Sequence, residues 1–305
     1  MQNYIYLIIH ILFALGMFIS LKLINIKGVN IYKAITLNYF IAALFTLVDL
    51  YIYYPQWSYS SKMVLPGIIV ALLFTVSFIL ISYSTIKVGI GLTTALNKMS
   101  VLIPVSVGII YLGQSHALAL KLIGIVISLI SIFLILYKKS QKRSKGVFIL
   151  PFLVFISAGM IDTSMELANT YVISEMYEKE VFLFTVFSFS VIFSLIAFGI
   201  NTLFYRKNRI IEGVKKRNVQ NSKLATLRML VYGSMLGVFN FLTSKMILVN
   251  VGNLGGSVVY PIHNASVVVF TTIIGLLFFK ESFTKRQWVG VILAVVGVSF
   301  IASTL

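Results

Sequence analysis

The sequence has no cysteine among its 305 residues. Disulfides, thiolate metal sites and cysteine nucleophiles are therefore excluded, and no cue to redox compartment remains. Charge is scarce too. Asp, Glu, Lys and Arg make up 11% of the chain, where an ordinary soluble domain carries roughly 25%, so there are too few charges to cover a water-soluble surface. The three histidines, His10, His116 and His263, are scattered, and neither an H-E-x-x-H pair nor a G-x-x-x-x-G-K-[ST] loop occurs. The sequence thus offers no zinc-hydrolase site and no ATP-binding loop. No metal and no other cofactor is expected.

What fills the chain instead is apolar. Hydrophobic residues make up 59% of it, with a mean hydropathy of +0.99, and they fall in blocks of about twenty, the length a helix needs to cross the hydrocarbon core. We read about ten spans, at 4–21, 33–54, 63–85, 90–112, 118–137, 147–173, 181–204, 227–250, 255–278 and 287–304. The blocks are rich in Ile and Val, which favour strands in water. Barrel strands, however, are alternating segments of ~9–11 residues, and in lipid each long block must satisfy its own backbone hydrogen bonds as a helix. The fold class is therefore all-α integral membrane. The N-terminus, Met1-Gln2-Asn3, has no basic region and the first block no small-x-small cleavage site, so that block is expected to remain as a helix.

The net charge of +17 is what a nucleic-acid surface needs, but the basic residues sit in short loops between apolar blocks, where they act as a topology signal. No nucleic-acid partner is expected. With the N-terminus on a side called A, the side-B loops hold Lys22, Lys27, Lys33, Lys87, a cluster at 138–145, the run from Arg206 to Lys223, Lys280, Lys285 and Arg286. Side A has Lys62, Lys121 and Lys179, and its 174–180 loop carries Glu175, Glu178 and Glu180. Side B is expected to be the cytoplasm, with both termini outside. The run from Arg206 to Lys223 reads as a solvated, partly helical loop, and the tyrosines 51, 53, 54 and 59 with Trp57 as an interfacial belt with Asp49 hydrated beside it.

The basic cluster at 138–146 separates residues 1–137 from 147–305, and the two parts look related. Residues 89–136 slide onto 255–302 without a gap, superposing Gly89 on Gly255, Ser100-Val101 on Ser266-Val267 and Gly124 on Gly290. An odd number of spans per unit inverts the second copy, the plan common in secondary transporters. About ten helices as two inverted five-helix repeats is the expected architecture.

The arrangement resembles the drug/metabolite transporter superfamily, in its EamA-like and rhamnose-transporter-like branches. The stretch from Tyr260-Pro261-Ile262-His263-Asn264 through Phe278-Phe279-Lys280-Glu281-Ser282-Phe283 to Gly290 and Gly297 carries most of the resemblance. It is similar to the closing helix pair of an EamA repeat, with an acidic turn between the helices. The first half carries a weaker copy, with Pro104 and Gly124, and departs from the pattern at Gln114 and Ser115, where a Glu is usual. The resemblance implies a substrate cavity between the halves. It also implies cytoplasmic termini in many members, against which the loop charges argue.

Two of the eight acidic residues fall inside one span, Asp162 and Glu166. Their i, i+4 spacing puts both on one helical face with Asn169 near it. Ionisable groups inside a bilayer cost roughly 2.5–3.5 kcal/mol on insertion scales and face a cavity or a partner. Two readings stand: a proton or cation relay, and charge pairing with the intramembrane lysines Lys98 and Lys245, Glu166 and Lys245 lying at similar depth. By the repeat offset, Asn97 and Lys98 correspond to His263 and Asn264, where an inverted-repeat transporter forms its site. Pro261 should loosen the helix near Ser257 and Gly256, as a bent or unwound segment or as a passive kink. The candidate solute-binding set is Asn97, Lys98, Asp162, Glu166, Asn169, Lys245, Tyr260, His263 and Asn264, with Asp162 and Glu166 also coupling protons. His10, Asn38, Tyr83, Asn201 and Asn240 read as packing or interfacial residues.

A secondary transporter for a small organic solute is the leading expectation, with the lipid bilayer as its other partner. A lipid-headgroup flippase is the alternative. An intramembrane enzyme on lipid-linked substrates is a third class, and the sequence offers no metal or nucleophile cluster for it.

Overall fold

The computed structural model describes residues 2–111, 118–136, 149–212, 222–254 and 256–302. Gln114, Ser115, His116 and the 138–146 linker lie outside these residues. Within them every regular element is helical: α1 (Gln2–Ile26), α2 (Ile31–Tyr53), a 3-10 turn (Ser61–Met63), α3 (Val64–Lys87), α4 (Ile90–Met99), α5 (Leu102–Tyr111), α6 (Leu118–Leu136), α7 (Ile149–Tyr171), α8 (Met176–Glu212), α9 (Ser222–Leu254), α10 (Gly256–Leu277) and α11 (Lys285–Ala302). Among the described residues, six helical stretches are long and apolar enough to cross a membrane: Ile5–Ile26, Ile31–Tyr53, Ser61–Lys87, Ile149–Tyr171, Met176–Leu203 and Lys223–Asn250.

The surface fits lipid as the solvent. On α1 the exposed residues include Ile5, Ile8 and Leu12, while His10 and Ser20 are buried. The helix therefore turns an apolar stripe outward and polar groups inward, the reverse of a soluble helix. Leu195, Ile196 and Leu203 of α8 continue the outward pattern. Of the expected belt, Tyr51, Tyr53 and Tyr59 stand exposed, while Tyr54 and Trp57 pack, partly buried, against the core.

The fourth expected span, 90–112, is not one helix. It breaks at Ser100 and Val101 into α4 and α5. Pro104 accounts for the position, since it has no N–H to offer the carbonyl of Ser100 four residues back and its ring crowds that carbonyl. The chain turns there through two tighter contacts, Ser100 N to Asn97 O at 3.3 Å and Ile103 N to Ser100 O at 2.9 Å. Pro261 behaves differently. It lies six residues into α10, which runs on without interruption from Gly256 to Leu277.

Packing divides the helices into a large body and a side pair. Tyr39, Phe18, Phe182 and Phe187 are among the largest fully buried side chains of the body. α1 packs on α9, α3 on α7, α2 on both α8 and α9, and α3 on α8, while α4 packs on α10 and α7. α6 and α11 pack against each other. Their backbones approach closely enough that the Ser131 hydroxyl donates to Gly290 O at 2.6 Å, and a Cβ on Gly297 would lie 3.1 Å from Gly124 O. Small residues allow such contact where lipid supplies no hydrophobic drive between helices.

Candidate functional site

Six helices enclose a cavity of about 280 Å³: α1, α3, α4, α7, α9 and α10. Its lining follows the helical period. On α7 the wall is built by Ala158, Ile161, Asp162, Met165, Glu166 and Asn169; on α3 by Phe74, Ser77, Phe78 and Ile81; on α9 by Asn240, Thr243, Ser244 and Ile247. Residues three and four apart share a face, so each helix gives the cavity one stripe. The α7 stripe reaches Thr170, one residue short of the side-A end of that helix and exposed there.

Lys98 lies two residues before the break. Its Nζ stands 3.2 Å from Nε2 of His263, and its backbone carbonyl accepts from Asn264 Nδ2 at 3.3 Å. With the ammonium donating, Nε2 of His263 accepts and the ring proton sits on Nδ1. The His263 ring stacks on His10, with centroids 3.9 Å apart and planes 15° from parallel. Nδ1 of each ring is buried without a hydrogen-bond partner among the described residues. At the break itself the Ser100 hydroxyl donates to Asp162 Oδ2 at 3.1 Å. α1, α4, α7 and α10 thus each supply an ionisable or imidazole group to one chamber.

Of the residues singled out from sequence, Asn97, Lys98, Asp162, Glu166, Asn169, His263 and Asn264 line this cavity. The side chain of Tyr260 lies outside the described part of the structure. Lys245 stands elsewhere. It pairs with Asp49 of α2 and, at 3.4 Å, with Glu180 of α8, so the expected pairing with Glu166 is not made. The reason is angular. Ser244 faces the cavity, and one residue further along a helix of 3.6 residues per turn the side chain points ~100° away, toward α2 and α8. Asp49 is accordingly an ion-pair partner with a 17% exposed side chain, not a hydrated interfacial group. Glu178 and Glu180 are likewise buried. Glu178 takes Lys62 at 3.1 Å and accepts from the N–H groups of Ser174 and Glu175 at 2.5 and 3.0 Å, which caps the start of α8.

Sequence reasoning assigned His10 and Asn240 to packing, yet both line the cavity. The only signal they carried was polarity inside an apolar block.

Beyond the cavity lining, at the start of α4, a carboxylate joins four helices. Glu281 Oε1 takes Lys22 Nζ at 2.8 Å and the N–H of Ile90 at 2.7 Å, and Oε2 takes the N–H of Gly91 at 3.3 Å. These are the unpaired donors at the start of α4, where the helix dipole also favours negative charge. Lys22 Nζ further donates to Thr85 O at 3.3 Å. The turn that presents Glu281 follows α10 with Lys280 at φ 51° and a bond from Glu281 N back to Gly275 O at 2.9 Å, which occupies one of the carbonyls left free at the helix end. Gly89, at φ 100°, leaves room for the carboxylate: a Cβ there would meet Glu281 Oε2 at 2.7 Å. The acidic turn of the 260–297 stretch therefore ties α10 to α1, α3 and α4.

The geometry can be set beside known proteins. A solved crystal structure of a protein aligns with a TM-score of 0.58 and 12% identity over 98% of this chain and 96% of its own, a likeness of fold. No curated protein matches the sequence. The family model for the EamA-like transporter family matches residues 152–303, a stretch that includes Asp162, Glu166, His263, Asn264 and the Glu281 turn. The chain belongs to the EamA-like transporter family, part of the drug/metabolite transporter superfamily, and is a multi-pass membrane protein of a transporter family.

Proposed function

We propose that this chain is a secondary transporter that carries a small polar organic solute across the cell membrane by alternating access, the solute resting in the six-helix cavity. One observation carries the reading. A single cavity gathers Lys98, Asp162, Glu166 and the amides of Asn97, Asn169, Asn240 and Asn264 and extends to the exposed Thr170 toward side A; in this reading the Glu281 latch bars it on side B. A site reached from one side and barred from the other is one of the two states that alternating access requires.

The helix partnerships support two inverted sets of about five helices, 1–137 and 147–305, joined by the basic linker. If α1 corresponds to α7, α2 to α8, α3 to α9, α4–α5 to α10 and α6 to α11, the most extensive contacts have counterparts. α1 on α9 mirrors α3 on α7, α2 on α9 mirrors α3 on α8, and α1 on α10 mirrors α4 on α7; the pairs α2–α8, α4–α10 and α6–α11 map onto themselves. Asp162 and Glu166, on the cavity stripe of α7, carry the coupling proton in this reading. The loop charges place side B in the cytoplasm and both termini outside.

Purified protein in proteoliposomes tests the proposal. Flux of at least one solute from a broad panel of labelled metabolites is expected. A pH gradient should accelerate it, and Asp162→Asn should abolish that acceleration. No flux of any solute, with or without the gradient, overturns the reading.

A further inference from the structure

We infer that side B carries a site for the phosphate of an anionic membrane lipid, in a basic cavity where the α1–α2 turn meets the side-B end of α9. The inference goes beyond the transport reading and does not depend on it; it needs only that the chain spans a bilayer. The cavity has a volume of about 510 Å³. It shares no lining residue with the six-helix chamber.

Its chemistry is one-sided. Lys27, Lys33 and Arg228 line it, and no Asp or Glu is among the described residues that do so. Lysines set among the helices elsewhere have acids beside them: Lys22 has Glu281, Lys62 has Glu178, and Lys245 has Asp49 and Glu180. Among the described residues no carboxylate comes within ion-pair distance of Lys27, Lys33 or Arg228. Three cations around one cavity repel one another, and an anion between them relieves that repulsion. Asn30 lines the cavity too. Its Oδ1 already accepts the N–H of Lys33 at 3.2 Å, so the amide donors are what it has left for a ligand. Lys and Arg are donors only. The wall therefore offers charge-assisted donors, which suit the oxygens of a phosphate.

The turn holds these groups in place. α1 closes with Gly28 N bonded to Asn25 O at 3.2 Å and Val29 N to Ile24 O at 3.0 Å. With Gly28 at φ 65°, this is a Schellman closure. Asn30 then caps α2, so Lys27 and Lys33 flank one tight connection. Lys33 Nζ also stands 5.6 Å from the centroid of the Phe198 ring on α8, a contact that restricts where the ammonium can go.

Depth marks the ligand as a lipid. The apolar spans end at Ile26 on α1 and begin at Ile31 on α2 and Lys223 on α9, so the cavity lies where three spans leave the hydrocarbon, at headgroup level. It also borders the lipid. Leu224, Leu227 and Val231 recur at i, i+3 and i+7 on α9 and are 46%, 57% and 52% exposed, a stripe turned to the bilayer. Leu224 belongs both to that stripe and to the cavity wall. A lipid phosphate among the three cations thus brings its acyl chains against the stripe, whereas a soluble anion meets the charges alone. Basic pockets between helices at a membrane face bind lipid headgroups in this way.

The test uses the purified full chain in neutral detergent and three probes: dioctanoyl phosphatidylglycerol, dioctanoyl phosphatidylcholine, and glycerol phosphate, which has no chains. Binding is read by calorimetry and by the rise in melting temperature that a ligand of the folded state produces. Phosphatidylglycerol should bind saturably, with each of the other two at least tenfold weaker. Arg228→Gln should weaken it at least fivefold. Lys285→Gln, which removes one exposed side-B charge outside the cavity, should leave it within about twofold. If Arg228→Gln does not fold, Lys27→Gln at the exposed turn takes its place with the same expected loss. Equal binding of phosphatidylcholine would show that the chains alone are read, and equal binding of glycerol phosphate would show a soluble-anion site. Equal losses in the Arg228 and Lys285 variants would show diffuse surface charge. Each of these results overturns the inference, as does no binding of phosphatidylglycerol, and none of them bears on solute flux.

Discussion

The Glu281 latch makes a quantitative demand. Glu281→Gln keeps the shape of the side chain and one acceptor for the start of α4, but removes the charge facing Lys22. The two side chains are only 12% and 14% exposed, so the pair is little screened. A hydrogen bond to a charged group contributes roughly 1.5–3 kcal/mol net, so loss of the Lys22 contact should withdraw about 2 kcal/mol from the side-B-closed state. At 1.36 kcal/mol per tenfold, that shifts the closed-to-open ratio by roughly 30-fold. The cysteine-free sequence provides a clean reporter. Ser84 is fully buried and bonded to Thr93 at 2.8 Å, one turn from the cavity residue Ile81 and next to Thr85 at the latch. Ser84→Cys should react slowly with a membrane-impermeant thiol reagent applied to side B, and at least tenfold faster when Glu281→Gln is added. Gly275→Ala should act in the same direction, because its Cβ would fall 2.8 Å from Glu281 Oε2 and push the carboxylate out. An unchanged labelling rate in a folded Glu281→Gln protein would refute the assignment of Glu281 as the bar on side B.

Two further outcomes are expected. Cysteines introduced at Asn3 and at Ser282 should be labelled from outside intact cells at the first position and protected at the second; the reverse pattern would place side B outside and defeat the loop-charge argument. Lys245→Met should lower thermal stability by about 2–3 kcal/mol, since it leaves Asp49 and Glu180 without their cation in a partly exposed setting, and should leave the apparent affinity for the solute unchanged. A shifted affinity with unaltered melting would mean that Lys245 serves the cavity after all.

The helical, membrane-spanning character was legible because lipid imposes it: a block of about twenty apolar residues has few alternatives to a helix. The lining of the cavity was legible as far as helix geometry reaches within one element. Asp162, Glu166 and Asn169 fall on one stripe by spacing alone, and the structure puts that stripe on the cavity. What spacing cannot supply is the rotation of one helix against another. Depth along the membrane normal set Lys245 level with Glu166, but the side chain points toward α2 and α8, so its partners are Asp49 and Glu180. His10 illustrates the converse. Nothing around it in sequence marks it, and it enters the site because α1 packs on α10 with that face inward. The two prolines teach the same lesson on a smaller scale. Pro104 lies at a break in the helix at Ser100 and Val101 whereas Pro261 lies within the first two turns of an intact α10, so a proline alone does not tell which helix will part.

The break at Ser100 gives the latch and the site a common part. α4 has ten residues, about 15 Å at 1.5 Å per residue. Its first N–H groups are held by Glu281, and its last turn carries Asn97 and Lys98 into the cavity. The carbonyl of Lys98 is held by Asn264 of α10, so both ends of α4 are fastened to the stretch that also presents the Glu281 turn. Because the helix stops there, α4 can tilt without carrying α5 with it. A helix unbroken through Ser100 would have to move as one rod of twice that length against α7, where Gly159 already admits Ile103 of α5. If solute binds at Lys98 and Glu281 lets go as proposed, the two events act on opposite ends of one short element. Labelling of Ser84→Cys should therefore respond to saturating solute as well as to Glu281→Gln, and restoring a continuous helix with Pro104→Ala should weaken that response.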